Sequence, residues 1–338
     1  MARQKWSWTP LQLRRAEHVN QVANELKKYW PLTLRQIYYQ LVTKGIWQNN
    51  KSWYTTLSKL VKWMRIDEKM PWYTIEDNTQ IITDKRSFDN IDHFLNQQVG
   101  NFLRGYTRCL IQNQRKHIEV WCEKAGLFHI FDNIVFPYCI RTVICRGYNS
   151  ITFIADFYKR AEKAISLGKT PMILYFGDFD PPGVDMLDVP IETLTDEMGL
   201  YGVEYKRIGL NPEHIEEYGL KPNPDAAKKS DGRYKKFVEK YGTDITVELD
   251  ALHPSDLENM IRQAIENEID MELFEGQREK ENDDDSKLKE IQYEMYGAFS
   301  YILERFGIYL NIRLNINSLG CFASLKLGAA TSAPYIPQ

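Results

Sequence analysis

The chain has 338 residues, 43% hydrophobic and 26% charged, the composition of an ordinary globular protein long enough for two domains. No run of about eighteen uncharged apolar residues occurs, so no membrane span is expected. The opening Met1-Ala2-Arg3-Gln4-Lys5-Trp6 leads into polar sequence and not an apolar export core, which points to a cytoplasmic protein. The net charge of −3 hides an asymmetry: residues 1–115 carry 18 Lys and Arg against 9 Asp and Glu, the remainder 25 against 37. A basic part with interleaved Trp and Tyr suits a phosphate backbone, and an acidic part suits divalent cations; plain solvated surface is the alternative for both. Five scattered cysteines (Cys109, Cys122, Cys139, Cys145, Cys321) with no Cys-x-x-Cys argue for reduced thiols and against zinc.

In chain order, residues 10–30 predict a helix opened by Pro10, with Leu13, Val19, Val22 and Leu26 on its apolar side. Thr33 can cap a second helix, Leu34 to Thr43, that Gly45 ends, and a third runs through Ser52–Met64. Strand-like pieces at Pro71–Ile75 and Thr79–Thr83 follow. Three helices and a small hairpin-like pair are the pattern of a winged helix over residues 1–83. Residues 84–115 are polar with helical spacing and read as a connector.

From His117 the rhythm alternates. Strands are expected at Ile118–Cys122, Arg141–Cys145, Met172–Phe176 and Val203–Gly209. Helices are expected at Ala125–Asn133, Ser150–Leu167 and Val184–Met198. The fold class is therefore α/β, a parallel sheet with helices on both faces, whose ligands sit at the carboxyl ends of the strands. Beyond it, Asn223–Asp231 reads as a loop, Thr243–Leu249 as a strand and Ser255–Leu273 as a helix. Residues 276–338 read as a charged stretch, either a solvated helix or a linker, then an aromatic amphipathic helix and a tail; Asp283-Asp284-Asp285 lacks the spacing of a calcium loop.

The segment Tyr175-Phe176-Gly177-Asp178-Phe179-Asp180-Pro181-Pro182-Gly183 carries the most chemistry. A buried strand stops at two carboxylates one residue apart, and alternation points both the same way, so they can share a hard cation; helix capping is the plain alternative. Glu123 falls at the equivalent end of the first strand, while Glu119 lies mid-strand. Glu123, Asp178 and Asp180, with no histidine or thiolate nearby, select an oxygen-seeking ion such as Mg²⁺. On the same edge, Asn149 or Ser150 can cap the next helix or offer its free amides to a phosphate.

Helical phase separates Tyr38 from Tyr39. With Leu34 at 0° and about 100° per residue, Ile37, Tyr38 and Leu41 form the apolar stripe, while Tyr39 lies about 140° away with Arg35 on its face. Tyr38 is expected in the core and Tyr39 outside. An exposed tyrosine beside an arginine is either a DNA-backbone contact or a nucleophile, and as a nucleophile it needs activation, since a free phenol titrates near pH 10.

Arg35-Gln36-Ile37-Tyr38-Tyr39 resembles the catalytic motif of the topoisomerase VI A subunit and the related meiotic double-strand-break transesterase. Glu123-Lys124-Ala125-Gly126-Leu127-Phe128 resembles that family's first Toprim motif, and Gly177-Asp178-Phe179-Asp180-Pro181-Pro182-Gly183-Val184-Asp185 its Asp-x-Asp-Pro-x-Gly motif. Arg207-Ile208-Gly209-Leu210 and Glu248-Leu249-Asp250-Ala251-Leu252 look like later family segments. The resemblance covers roughly residues 30–275 and implies a winged-helix domain followed by a Toprim domain over 116–275. It implies Tyr39 as nucleophile, Arg35 at the scissile phosphate, and Mg²⁺ on Glu123, Asp178 and Asp180. It further implies a homodimer, the tyrosine of one protomer over the metal of the other, cutting both strands of double-stranded DNA, with 5′ phosphotyrosyl ends, and hence a nucleoid-associated protein. Gln36 stands where the family usually has an acid. No ATPase motif is present, so strand passage would require a separate B-type ATPase subunit. Two other readings compete: a Toprim nuclease using water without a covalent adduct, and a non-catalytic DNA-binding subunit.

Overall fold

The structure, a computed structural model, describes residues 6–75, 87–145, 150–223 and 232–309. Its contacts group into two compact units, Met1–Thr83 with Arg108–Glu281, and Asp84–Thr107 with Asn282–Gln338.

The larger unit begins with α1 (Pro10–Glu25), α2 (Leu34–Thr43) and α3 (Lys51–Ile66), which pack against one another. Thr9 and Thr33 each close a capping box, with Gln12 and Gln36 respectively, so local chemistry sets both starts. Residues Pro71–Ile75 do not form the expected strand. Trp72–Thr74 is a single 3₁₀ turn following Pro71, and Ile75 makes only an isolated parallel bridge to Leu32. The expected partner Thr79–Thr83 lies outside the described residues.

Four parallel strands follow: β1 (Lys116–Cys122), β2 (Arg141–Ile144), β3 (Thr170–Phe176) and β4 (Glu204–Gly209), in the order β2-β1-β3-β4. β1 pairs with β3 from Lys116↔Thr170 to Cys122↔Phe176, so both strands end level and their following residues share one edge. Side-chain alternation divides the core. Ile118, Val120, Cys122, Met172, Leu174 and Phe176 belong to one apolar cluster, which also holds α2 side chains and those of α5 (Phe128–Val135). Trp121, Ile173 and Tyr175 belong to the other, with residues of α6 (Ile151–Ser166) and α7 (Pro181–Glu192). Both central strands are buried almost throughout, as expected of a sheet covered on both faces. Ser150 caps α6, its hydroxyl accepting from the Phe153 N–H at 3.2 Å; Asn149 lies outside the described residues.

α8 (Pro212–Glu217), α9 (Tyr234–Tyr241) and α10 (Pro254–Glu266) complete this unit together with the start of α11 (Met271–Glu304). Thr243–Leu249 is not a strand: only Val247 pairs, with Phe179, before a 3₁₀ turn at Leu249–Ala251. The Leu249 N–H goes to the Asp178 carboxylate, which ends the pairing there. Of the two readings of the charged stretch after residue 275, helix or linker, the helix is what forms. The 34-residue α11 runs through that stretch, since its Glu, Lys, Gln and Met are good helix formers and contain no proline.

The smaller unit contains α4 (Ile91–Gly100) and the later part of α11. Phe102 meets Phe299 edge-on at 5.4 Å, and Gln292 donates to the Phe102 carbonyl at 2.9 Å. No described helix is long and apolar enough to cross a membrane.

Candidate functional site

The carboxyl edge of β1 and β3 gathers the predicted acids. The Asp178 N–H donates to Glu123 Oε2 at 2.9 Å, joining the two strand ends. Asp178 Oδ1 accepts from Leu249 N at 2.8 Å, and Oδ2 pairs with the Lys124 ammonium at 2.6 Å. Asp180 caps α7 through Gly183 N at 2.6 Å. Arg207, from β4, donates to the carbonyls of Asp178 at 2.5 Å and Gly183 at 2.9 Å, fixing the turn that carries both aspartates.

Two further acids enter from the residues after Val247. Glu248 accepts from Lys124 at 3.3 Å and from Asn223 at 3.3 Å, and it pairs with Arg35 of α2. Asp250, only 3% exposed, lies 3.7 Å from Lys124. Sequence reasoning gave these two no role. Their one-residue spacing, the same as that of Asp178 and Asp180, was the available signal.

Five carboxylates (Glu123, Asp178, Asp180, Glu248, Asp250) thus face three cations (Arg35, Lys124, Arg207), a buried excess of negative charge. Burial, reinforced by Asp178, pushes Glu123 up to about 7. Burial and Asp178 also raise Asp180, and Asp250 rises to about 6, chiefly through burial. Asp178 itself is raised by burial despite the opposing pull of Lys124.

A fully buried Tyr175 hydroxyl, without a hydrogen-bond partner among the described residues, borders this edge. Gly177 keeps the space there: a methyl group on it would stand 2.6 Å from that hydroxyl and 2.8 Å from Glu123 Oε2. Gly126 plays a comparable part after β1. A methyl there would meet the Thr33 methyl at 2.8 Å, so the missing side chain lets the start of α2 settle on the Glu123–Lys124 turn.

Among the described residues, no three His, Cys, Asp or Glu side chains stand arranged to hold a metal ion as they are. Lys124 sits on Asp178, and Asp180 is turned to its cap. The donor set nevertheless fits Mg²⁺ in kind: oxygen only, with surplus charge and an unsatisfied hydroxyl alongside.

The two tyrosines differ from expectation. Tyr39 is not outside; it is 6% exposed, because the face of α2 that is polar in isolation packs on the Leu249–Ala251 turn. Its hydroxyl makes no hydrogen bond among the described residues, and it lines a cavity of about 220 Å³ with Arg35, Asn49, Lys51, Asn223 and Glu248. Burial, then Glu248, pushes its phenol well above the ordinary value, with Arg35 opposing. Tyr38 is buried as expected and its hydroxyl is engaged: it accepts from Asn50 N at 2.8 Å and faces the Asn50 carbonyl at 2.9 Å.

Compared with family models and with curated proteins, the chain matches none.

Proposed function

We propose that this protein is a Mg²⁺-dependent DNA cleaving and rejoining enzyme of the topoisomerase VI A type, with a winged-helix amino-terminal part and a Toprim sheet. One observation carries the reading: Arg35 and Tyr39 of α2 border the same charged cluster as Glu123, Asp178 and Asp180, through the bridge Arg35–Glu248–Lys124–Asp178. A tyrosine, an arginine and strand-end carboxylates are what transfer of a phosphodiester to a phenol requires.

In this reading Tyr39 Oη gives up its proton to water and bonds to phosphorus, the P–O3′ bond breaks and the 3′ oxygen takes up a proton, and the 5′ phosphate stays on the tyrosine; rejoining reverses the exchange without loss of bond energy. Arg35 binds the phosphate oxygens and stabilises charge developing there. Glu123, Asp178 and Asp180 would hold Mg²⁺, which when bound supplies charge neutralisation at the phosphate and the leaving oxygen. Arg207 keeps the two aspartates in register. Gln36, which replaces the family's usual acid, completes the cap of α2 by accepting from Thr33 N at 2.7 Å. The chain acts as a homodimer on double-stranded DNA in the cytoplasm, with a separate ATPase subunit where strands are passed.

The upward-shifted Tyr39 phenol is the observation favouring the hydrolytic alternative, in which water attacks instead. A single experiment separates the two. Supercoiled plasmid is incubated with protein and Mg²⁺, the reaction is denatured, and the ends are probed for 5′-linked protein. The expected result is an adduct that Tyr39→Phe abolishes together with cleavage. Cleavage by Tyr39→Phe at the wild-type rate would overturn the transesterase reading in favour of the nuclease.

A further inference from the structure

We propose that the cavity beside Tyr39 is a phosphodiester seat whose anion position is held, in the chain alone, by the carboxylate of Glu248. The inference rests on reading this cavity as the DNA-reactive site, and it assigns a role to a residue outside the nucleophile and the metal acids.

A carboxylate and a phosphodiester ask for the same partners: a guanidinium fork, an ammonium and amide donors. Glu248 has a guanidinium nitrogen, an ammonium and an amide, in Arg35 Nη1, Lys124 Nζ at 3.3 Å and Asn223 Nδ2 at 3.3 Å. The Arg35 and Lys124 partners come from different parts of the chain, α2 and the turn after β1, so no local geometry forces them onto Glu248. The adjoining space, about 220 Å³, is large enough for a phosphate and its flanking sugar atoms, and its other walls include Lys51 and Asn49. Tyr39, whose hydroxyl makes no hydrogen bond among the described residues, faces the same space.

Charge balance points the same way. Glu248 adds to a cluster already rich in carboxylates, and it sits beside Asp178 and Asp250, which share Lys124 with it. Its removal from Arg35 and replacement by a DNA phosphate keeps the guanidinium paired. Entry of DNA therefore exchanges one anion for another at Arg35, and Glu248 turns out toward solvent. The exchange makes binding weaker than the cations alone would give and keeps Arg35 from pairing with unrelated anions.

The test reads binding, not cleavage. Full-length Tyr39→Phe protein, in chelator-containing buffer, is titrated with a labelled mixed-sequence duplex and its anisotropy followed over a range of salt concentrations. Glu248→Gln, which keeps the shape and loses the charge, is expected to tighten binding about tenfold. It should also steepen the slope of log affinity against log salt by about one, as Arg35 gains a phosphate. Adding Arg35→Ala to Glu248→Gln should remove the gain. Glu248→Asp, which retains the charge but withdraws it from Arg35, should give a smaller tightening and guards against a folding defect in the neutral variant. Unchanged or weaker binding by both Glu248 variants, or a gain that survives Arg35→Ala, would overturn the proposal. Because no chemistry is read, loss of the transesterase reading and loss of this one give different results.

Discussion

Glu119 and Glu123 lie four residues apart at one strand, and their surroundings differ in one respect. Glu119, on β1, is 0% exposed and fully answered: Arg160 reaches it at 2.6 and 3.0 Å and the Trp121 indole donates at 3.0 Å. Burial would raise it, but neighbouring His117 and the Arg160 fork hold it at about 2. Glu123, just past the strand, has a backbone N–H and the repulsion of other acids, and stands at about 7. A buried carboxylate with its own guanidinium is structural. One left in surplus with others, at the edge where ligands bind in parallel sheets, is a candidate for chemistry.

The sharpest way to break this contrast is to remove an acid from the edge. Asp178→Ala is expected to lower Mg²⁺-dependent cleavage by roughly a thousandfold, several kcal/mol of transition-state stabilisation, with duplex binding largely retained. Quantifying cleaved plasmid and anisotropy in parallel checks both; cleavage near the wild-type rate would remove the edge acids from the reaction. On the other side, Arg160→Ala leaves Glu119 buried without its partner and should cost about 3 kcal/mol in urea unfolding. The sign with pH follows from the depressed folded-state value. The stabilisation is complete above about 4.5, the ordinary carboxyl value, and is lost as pH falls toward about 2. Wild type should lose about 3 kcal/mol across that window relative to Arg160→Ala, whose curve lacks this component.

The sheet was legible because its signal is local: apolar runs such as Met172–Phe176 bounded by turn residues, each followed by a helical stretch. The site was half legible. Glu123, Asp178 and Asp180 stand out as strand-end acids, and Glu119 is set aside by its mid-strand position. The burial of Tyr39 was not legible, because helical phase describes α2 in isolation and says nothing of the Leu249–Ala251 turn more than 200 residues away that covers its polar face. Arg35 pairs with Glu248 across the same sequence gap. Thr243–Leu249 misled for a related reason: its β-branched residues favour a strand, but Asp178 takes the Leu249 N–H that would continue the pairing.

The remaining prediction asks whether the surplus charge at the edge is a cost that a cation relieves. With Mg²⁺ at a hundred times its dissociation constant, wild type should gain about 2.7 kcal/mol against unfolding, and Glu123→Gln should gain much less. Without divalent ions, Glu123→Gln should be as stable as wild type or slightly more so, within about 1 kcal/mol, because it removes repulsion from Asp178 and keeps an oxygen to accept the Asp178 N–H. Glu119→Gln, the same change four residues earlier, should lose about 2 kcal/mol whether or not Mg²⁺ is present, since it strips a charge that Arg160 needs. Thermal and urea melts of the two variants, with Mg²⁺ and with chelator, therefore read the difference directly. If Glu123→Gln fell as far as Glu119→Gln in chelator, Glu123 would be a structural acid like its neighbour, and the edge would lose its claim to a cation.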